Sequence, residues 1–220
     1  SNFLRAEYPL EGKEQFYAER VQPEIERLIQ ADGYDEIVLW FEYDLFCQVN
    51  LWACLNLLKD RSQRISLVCP TDHPEITPFK GMGQCAPEHF PPLFEGRIPL
   101  STTDFECGAQ LWNAFVQEDL PRLSKLPISA PLAASGPAIQ AHLERFPAKN
   151  AQGSPLQRFL IEPLRENALT ERALVGRFLR RDLKWGMGDL QVFQLIKMSR
   201  HLLEGQELLS LSDQGKALLQ

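Results

Sequence analysis

Apolar residues recur at helical spacing between Glu11 and Gln30, with Phe16, Val21, Ile25, Leu28 and Ile29 set among charged neighbours, and Ala31-Asp32-Gly33 closes the pattern. This predicts an amphipathic helix. Glu36 to Phe41 is a run of β-formers without polar alternation, the pattern of a strand covered on both faces. A helical pattern from Leu45 to Leu58 follows, apolar nearly all round and broken by Gln48, Asn50 and Asn56, and Ile65 to Cys69 repeats the buried-strand pattern. Strand, helix and strand make a βαβ unit, whose crossover sets the two strands parallel.

Past Cys69 the chain runs through Pro70, Pro74 and Pro78 to Lys80-Gly81-Met82-Gly83-Gln84, and helical patterning resumes from Pro87 to Phe94. A further helix is predicted from Thr102 to Gln117, capped by Ser101 or Thr102, with Phe105, Leu111, Trp112, Phe115 and Val116 on its apolar side. Turn-rich stretches at 127–137 and 146–155 mark boundaries. Beyond them the patterning predicts helices over 156–166, 170–181 and 188–203, a short strand over 207–211, and a tail, Leu211-Ser212-Asp213-Gln214-Gly215-Lys216-Ala217-Leu218-Leu219, that looks like the ending of many winged-helix domains. The fold class expected is α/β: a Rossmann-like domain with a parallel sheet over 1–126, a linker and connecting helix over 127–154, and a helical, winged-helix-like domain over 155–220.

Composition narrows the function classes. The chain has 220 residues, 44% of them hydrophobic and 24% charged, which suits packed domains and excludes disorder. A net charge of −6 opposes nonspecific attraction to nucleic acid or anionic membrane. The longest clean apolar run, Ile37 to Phe41, is far short of the ~20 residues that span a bilayer. Five cysteines, odd in number and without a CxxC pair, read as reduced thiols of a cytoplasmic protein. No HExxH, EF-hand or CxxC pattern is present, so no metal is expected, and no cofactor is indicated.

Candidate chemistry gathers where the first strand meets its helix, since open α/β sheets bind ligands at the carboxyl ends of their strands. Glu42 and Asp44 stand two apart on an extended segment, and two close carboxylates raise one pKa, as acid–base work requires. Asp44 serves equally as a helix cap. Cys47, in the first helical turn, is a candidate nucleophile or a small buried thiol. Gln48 and Asn50 need either buried partners or a cleft, and a cleft is expected for Gln48. His73, after the second strand and beside Asp72, is an acid–base candidate or a solvated loop residue. Lys80, Gly81 and Gly83 could present an ammonium and backbone amides to an anion, or form a plain turn.

The site expected is therefore one for a small polar metabolite or nucleotide, an active site if Glu42 serves as acid–base group while Gln48 and Asn50 bind substrate. Two alternatives come from the rest of the chain. As a DNA-associated regulator the protein would read a groove with Gln191, Gln194, Lys197 and Arg200. From Pro155 onward ten basic residues face eight acidic ones, but Asp189 heads the candidate recognition helix and only two basic residues lie within it, which disfavours that reading. As a pure interaction module the protein would form a homo-oligomer.

The segment Val38-Leu39-Trp40-Phe41-Glu42-Tyr43-Asp44-Leu45-Phe46-Cys47-Gln48-Val49-Asn50-Leu51 resembles the signature LWF-x-x-D-x-FCQ-x-N of the bacterial domain of unknown function 1835 family. Gly81-Met82-Gly83-Gln84, Leu143-Glu144-Arg145-Phe146-Pro147 and Gly186-Met187-Gly188-Asp189-Leu190-Gln191 resemble further segments of it. Members of that family begin with a strand ending in a Gly-Asp pair. That part is absent here; if the absence is a truncation, the resemblance implies that a further parallel strand completes the sheet and that its Gly-Asp turn shares a rim with Glu42 and Asp44. The family carries no assigned activity, so the resemblance singles out residues without supplying chemistry.

Overall fold

The computed structural model describes residues 17–31, 33–149 and 151–220. The part of the expected first helix before Tyr17 lies outside them. Two compact units divide the described residues: those up to 43 with 47–136, and those from 137 on with 44–46.

In the first unit a π-helical turn, Tyr17–Val21, runs into helix α1 (Gln22–Ile29). Strand β1 (Glu36–Trp40), helix α2 (Leu45–Leu58) and strand β2 (Arg64–Val68) form the βαβ unit, and the strands pair parallel from Glu36 opposite Arg64 to Trp40 opposite Val68. The apolar run of β2 is buried as its composition requires, with Ile65, Leu67 and Val68 at most 4% exposed, whereas β1 buries only Leu39 and leaves Ile37, Val38 and Trp40 half-buried. Helix α2 has no polar face because it is covered on several sides: Leu51, Trp52 and Leu55 are fully buried. Helix α4 (Thr102–Val116), which follows the short α3 (Phe90–Glu95), approaches it closely at Gly108, where a Cβ would stand 2.4 Å from Leu55 Cδ1. Ser101 caps α4, its amide and hydroxyl donating to the Asp104 carboxylate at 2.8 and 2.6 Å.

The sheet departs from the parallel one expected. Its third strand, β3 (Ile98–Pro99), runs antiparallel to β2 and pairs Ser66 with Pro99 and Leu67 with Ile98. Pro99 stands opposite Ser66 where it has no ladder bond to lose, since the Leu100 amide beyond it still donates to the Ile65 carbonyl at 2.9 Å; the strand is two residues long and the sheet is small and mixed. At the amino ends of the strands Glu36 ties all three segments together, accepting from Arg64 at 2.7 Å, Ser66 at 2.6 Å and Arg97 at 3.1 Å. A short α5 (Leu120–Leu123) then leads to α6 (Ser135–Leu143), which passes into the second unit.

The second unit continues with α7 (Pro155–Ile161), α8 (Glu171–Arg181), α9 (Asp189–Met198), the hairpin β4 (Leu203–Glu204) and β5 (Ser210–Leu211), and α10 (Asp213–Leu219). Leu169, between α7 and α8, bridges antiparallel to Leu209. The single strand expected over 207–211 is thus one arm of a hairpin, and the helix expected over 188–203 ends at Met198, followed by a 3₁₀ turn. Ser154, Thr170 and Ser212 cap α7, α8 and α10 through their side-chain oxygens. Phe159, Phe178 and Trp185 form the aromatic centre of the unit, with Trp185 Nε1 donating to the Ala141 carbonyl at 2.9 Å. Among the described residues no helix is long and apolar enough to cross a membrane.

Candidate functional site

The carboxyl ends of β1 and β2 and the loop from Phe79 to His89 hold most of the candidate residues of the first unit. Glu42 leaves the end of β1 and turns its carboxylate onto that loop, where Oε1 accepts the Met82 amide hydrogen at 2.6 Å. Gly81 makes this possible. Its φ of +141° suits glycine, and a Cβ there would lie 2.6 Å from Glu42 Oε1. Of the two readings of the loop, an anion site or a plain turn, the Met82 amide bears on the first by receiving a carboxylate of the chain itself. Lys80 and Gly83 are exposed beside it, and the Lys80 amide donates to Gln84 Oε1 at 2.5 Å. Tyr43 fastens the same loop, donating from its hydroxyl to the Phe79 carbonyl at 3.0 Å.

Gln48 does not face a cleft. It is fully buried, and its amide is spent inside the fold: Nε2 donates to the Glu42 carbonyl at 2.8 Å and contacts Cys69 Sγ at 3.4 Å, while Oε1 accepts from Ser135 Oγ at 2.9 Å. Ser135 in turn accepts from Trp52 Nε1 at 2.8 Å. Burial of four polar groups is tolerable because each finds a partner. Gln48 thereby sets the backbone at Glu42, the residue whose carboxylate holds the Gly81 loop. Asn50 lies on an exposed position of α2, and Cys47 is half-buried in its first turn. Asp44 belongs with the second unit, where its carboxylate fills the space beside Gly186, 2.0 Å from where a Cβ would stand.

His73 is half-buried after β2, its ring stacked on Phe79 with centroids 6.1 Å apart. Asp72 is exposed, and the Nδ1 of His73 accepts instead from the Glu75 amide at 3.2 Å. A second imidazole stands against it, since the His73 and His89 centroids are 4.6 Å apart. His89 Nδ1 accepts from the Ala86 amide at 3.0 Å, and its Nε2 lies 3.5 Å from Glu75 Oε2. Cys85 completes the group: the ligand atoms of His73, Cys85 and His89 all lie within 4.8 Å of one another. Motif searching on the sequence passes over this trio, because the three residues share no recognised metal spacing. The Cys-x₃-His step from Cys85 to His89 is the signal that could have drawn attention to it.

In the second unit Gln191, Lys197 and Arg200 are exposed and Gln194 is half-buried on α9 and the turn after it. The Arg200 guanidinium is engaged with the hairpin, donating to the Gly205 carbonyl at 2.7 Å. Two open hollows are lined by other residues. One of about 730 Å³ is bordered by Leu164, Arg165, Ser210 and Leu219, and one of about 380 Å³ by Lys59, Thr102, Glu106 and Asn113. Compared with family models, curated proteins and solved structures, the chain finds no match.

Proposed function

We propose that this is a cytoplasmic bacterial protein that binds a small polar metabolite or nucleotide at the carboxyl ends of β1 and β2, in a Rossmann-like unit resembling the domain of unknown function 1835 family. The observation that carries this reading is the clamp of Glu42 on Met82: a carboxylate from the end of one parallel strand holds the loop that follows the next strand. Ligands of open α/β sheets sit at this edge, under loops that the strand ends position. Tyr43, His73 and His89 add ring faces and hydrogen-bonding atoms to the same edge, enough to grip a base, a sugar or a carboxylate. A ligand donor that binds Glu42 competes with the Met82 amide for its carboxylate.

The test is a thermal-shift screen of the protein against nucleotides and common metabolites, with Glu42→Gln as control. A ligand that binds only the folded state raises Tm, by about 2.7 kcal/mol of stability at a hundredfold excess over Kd. A hit weakened at least tenfold in Glu42→Gln supports the rim site. A hit indifferent to Glu42, or none at millimolar concentration, refutes it.

The order of the second unit favours a second reading. Helix, bridging residue, two helices and a hairpin, with Leu169 paired to Leu209 beside β5, is the succession of a winged-helix-like domain. In that reading α9 contacts a DNA groove through Gln191, Gln194 and Lys197, while Arg200 braces the hairpin. Duplex binding that weakens with salt and falls in Lys197→Ala supports it, and a salt-independent result refutes it.

A further inference from the structure

We propose that His73, Cys85 and His89 form a binding site for zinc or a divalent transition cation of similar softness. The site shares His73 and His89 with the rim of the ligand reading above but does not rest on that reading, and its test uses the metal alone. Three features of the loop build it. The 3₁₀ turn Met82–Gln84 delivers Cys85, the 3₁₀ turn Pro87–His89 delivers His89, and the Phe79 ring supports His73 from the side. All three side chains are half-buried, so the site is partly shielded yet open to an entering ion.

The donor set fits the ion. Two imidazole nitrogens and a thiolate are borderline-to-soft ligands, which select zinc and its neighbours over magnesium or calcium. Tetrahedral zinc, with bonds of about 2.0–2.3 Å, holds its ligand atoms about 3.3–3.7 Å apart. The three atoms here lie within 4.8 Å, so side-chain shifts of about an ångström, well within rotamer freedom, close the shell. Glu75 supplies the fourth ligand. Its Oε2 already stands 3.5 Å from His89 Nε2, the separation of two ligands on one ion, and its exposed side chain is free to adjust.

Loading the site has a definite proton balance. Both Nδ1 atoms accept backbone amide hydrogens, so each neutral ring carries its proton on Nε2 and offers that atom to the metal only after moving the proton to Nδ1. The thiol of Cys85 gives one proton to solvent as the metal–sulfur bond forms. The amides of Glu75 and Ala86 then lose their imidazole partners and turn to water, so metal binding reshapes the segment from His73 to His89. The affinity of the site is accordingly micromolar, weaker than that of a structural zinc centre whose ligands are set in advance.

The experiment is titration of the full chain with zinc by calorimetry and with cobalt(II) by absorption, in wild type, Cys85→Ser, His89→Ala and His73→Ala. Cys47→Ser and His201→Ala are the controls. Wild type and controls bind one equivalent with Kd below about 10 µM, and cobalt shows tetrahedral visible bands with a thiolate charge-transfer band in the near ultraviolet. Cys85→Ser abolishes the charge-transfer band, and each site variant weakens binding at least tenfold while its metal-free Tm stays that of wild type. Absence of binding, binding unchanged in Cys85→Ser, or binding lost in Cys47→Ser overturns the proposal. Should a site variant lose its fold, the wild-type cobalt spectrum decides alone, and a spectrum without thiolate charge transfer overturns it.

Discussion

The Glu42 carboxylate occupies the space into which a side chain at Gly81 would grow, with 2.6 Å between Glu42 Oε1 and the position of a Cβ. A glycine is thus required by a residue 39 positions away, and two segments that look unrelated in the sequence form one contact.

Gly81→Ala should therefore be costly. It places a non-glycine residue at φ +141° and drives the methyl into the carboxylate, which must leave the Met82 amide. A loss of about 2–4 kcal/mol in urea denaturation is expected from strain and the broken charge-assisted bond. In a Glu42→Ala background the collision is gone and only the backbone strain remains, so the same substitution should cost about 1–2 kcal/mol less. Additive effects would show that the two residues act independently.

Trp52, Ser135 and Gln48 form one buried hydrogen-bonded chain. Ser135→Ala strands two buried groups at once, the Trp52 indole N–H and Gln48 Oε1, and should destabilise by about 2–4 kcal/mol. Gln48→Leu removes the amide and strands only the serine proton and the Glu42 carbonyl, so the double variant Ser135→Ala/Gln48→Leu should cost less than the sum of the single changes. Chemical denaturation of the four proteins closes this cycle, and a sum without coupling would dissolve the chain into separate contacts.

The βαβ unit was legible because its signal is local: two apolar runs and an apolar helix between them need no knowledge of the rest of the chain. β3 was not, since two residues ending in a proline carry no periodicity, and their partners in β2 stand 31 and 33 positions back in the chain. Gln48 shows the limit at the candidate site. A polar residue on an apolar helix announces that a partner exists, but whether that partner is a ligand or Ser135, 87 residues on, depends on tertiary packing. The same holds for His73, Cys85 and His89, which a proline-rich loop folds into one cluster without any regular spacing.

Glu36 makes the sheet sensitive to acid. Hydrogen bonds from Arg64, Arg97 and Ser66 hold its carboxyl down from 4.5 to about 2. A carboxyl whose pKa is depressed by folding stabilises above its unfolded value and loses that contribution as pH falls through the folded one. The window runs from pH 4.5 to about 2. In Glu36→Gln the fall in urea midpoint across this window should be shallower than in wild type, and at neutral pH the variant should be the weaker protein. Parallel curves for the two proteins would contradict the assignment.

His142 acts at a higher pH and in the other unit. It is 6% exposed, with its ring edge-on to Phe146 at 5.4 Å, and burial first, then the neighbouring Arg145 charge, pushes its pKa from 6.5 down to about 4. The unfolded chain therefore takes up a proton near pH 6.5 that the folded protein refuses until about pH 4. Between those values the unfolded state binds more protons, so stability is full above pH 6.5 and declines as the pH is lowered. Replacing His142 with Gln removes this titration. The difference in urea midpoint between pH 7.5 and about 5 should shrink in the variant. An NMR titration of the wild-type imidazole offers a direct check: its Cε1 proton should hold its position down to about pH 5, and movement centred near 6.5 would refute the shift.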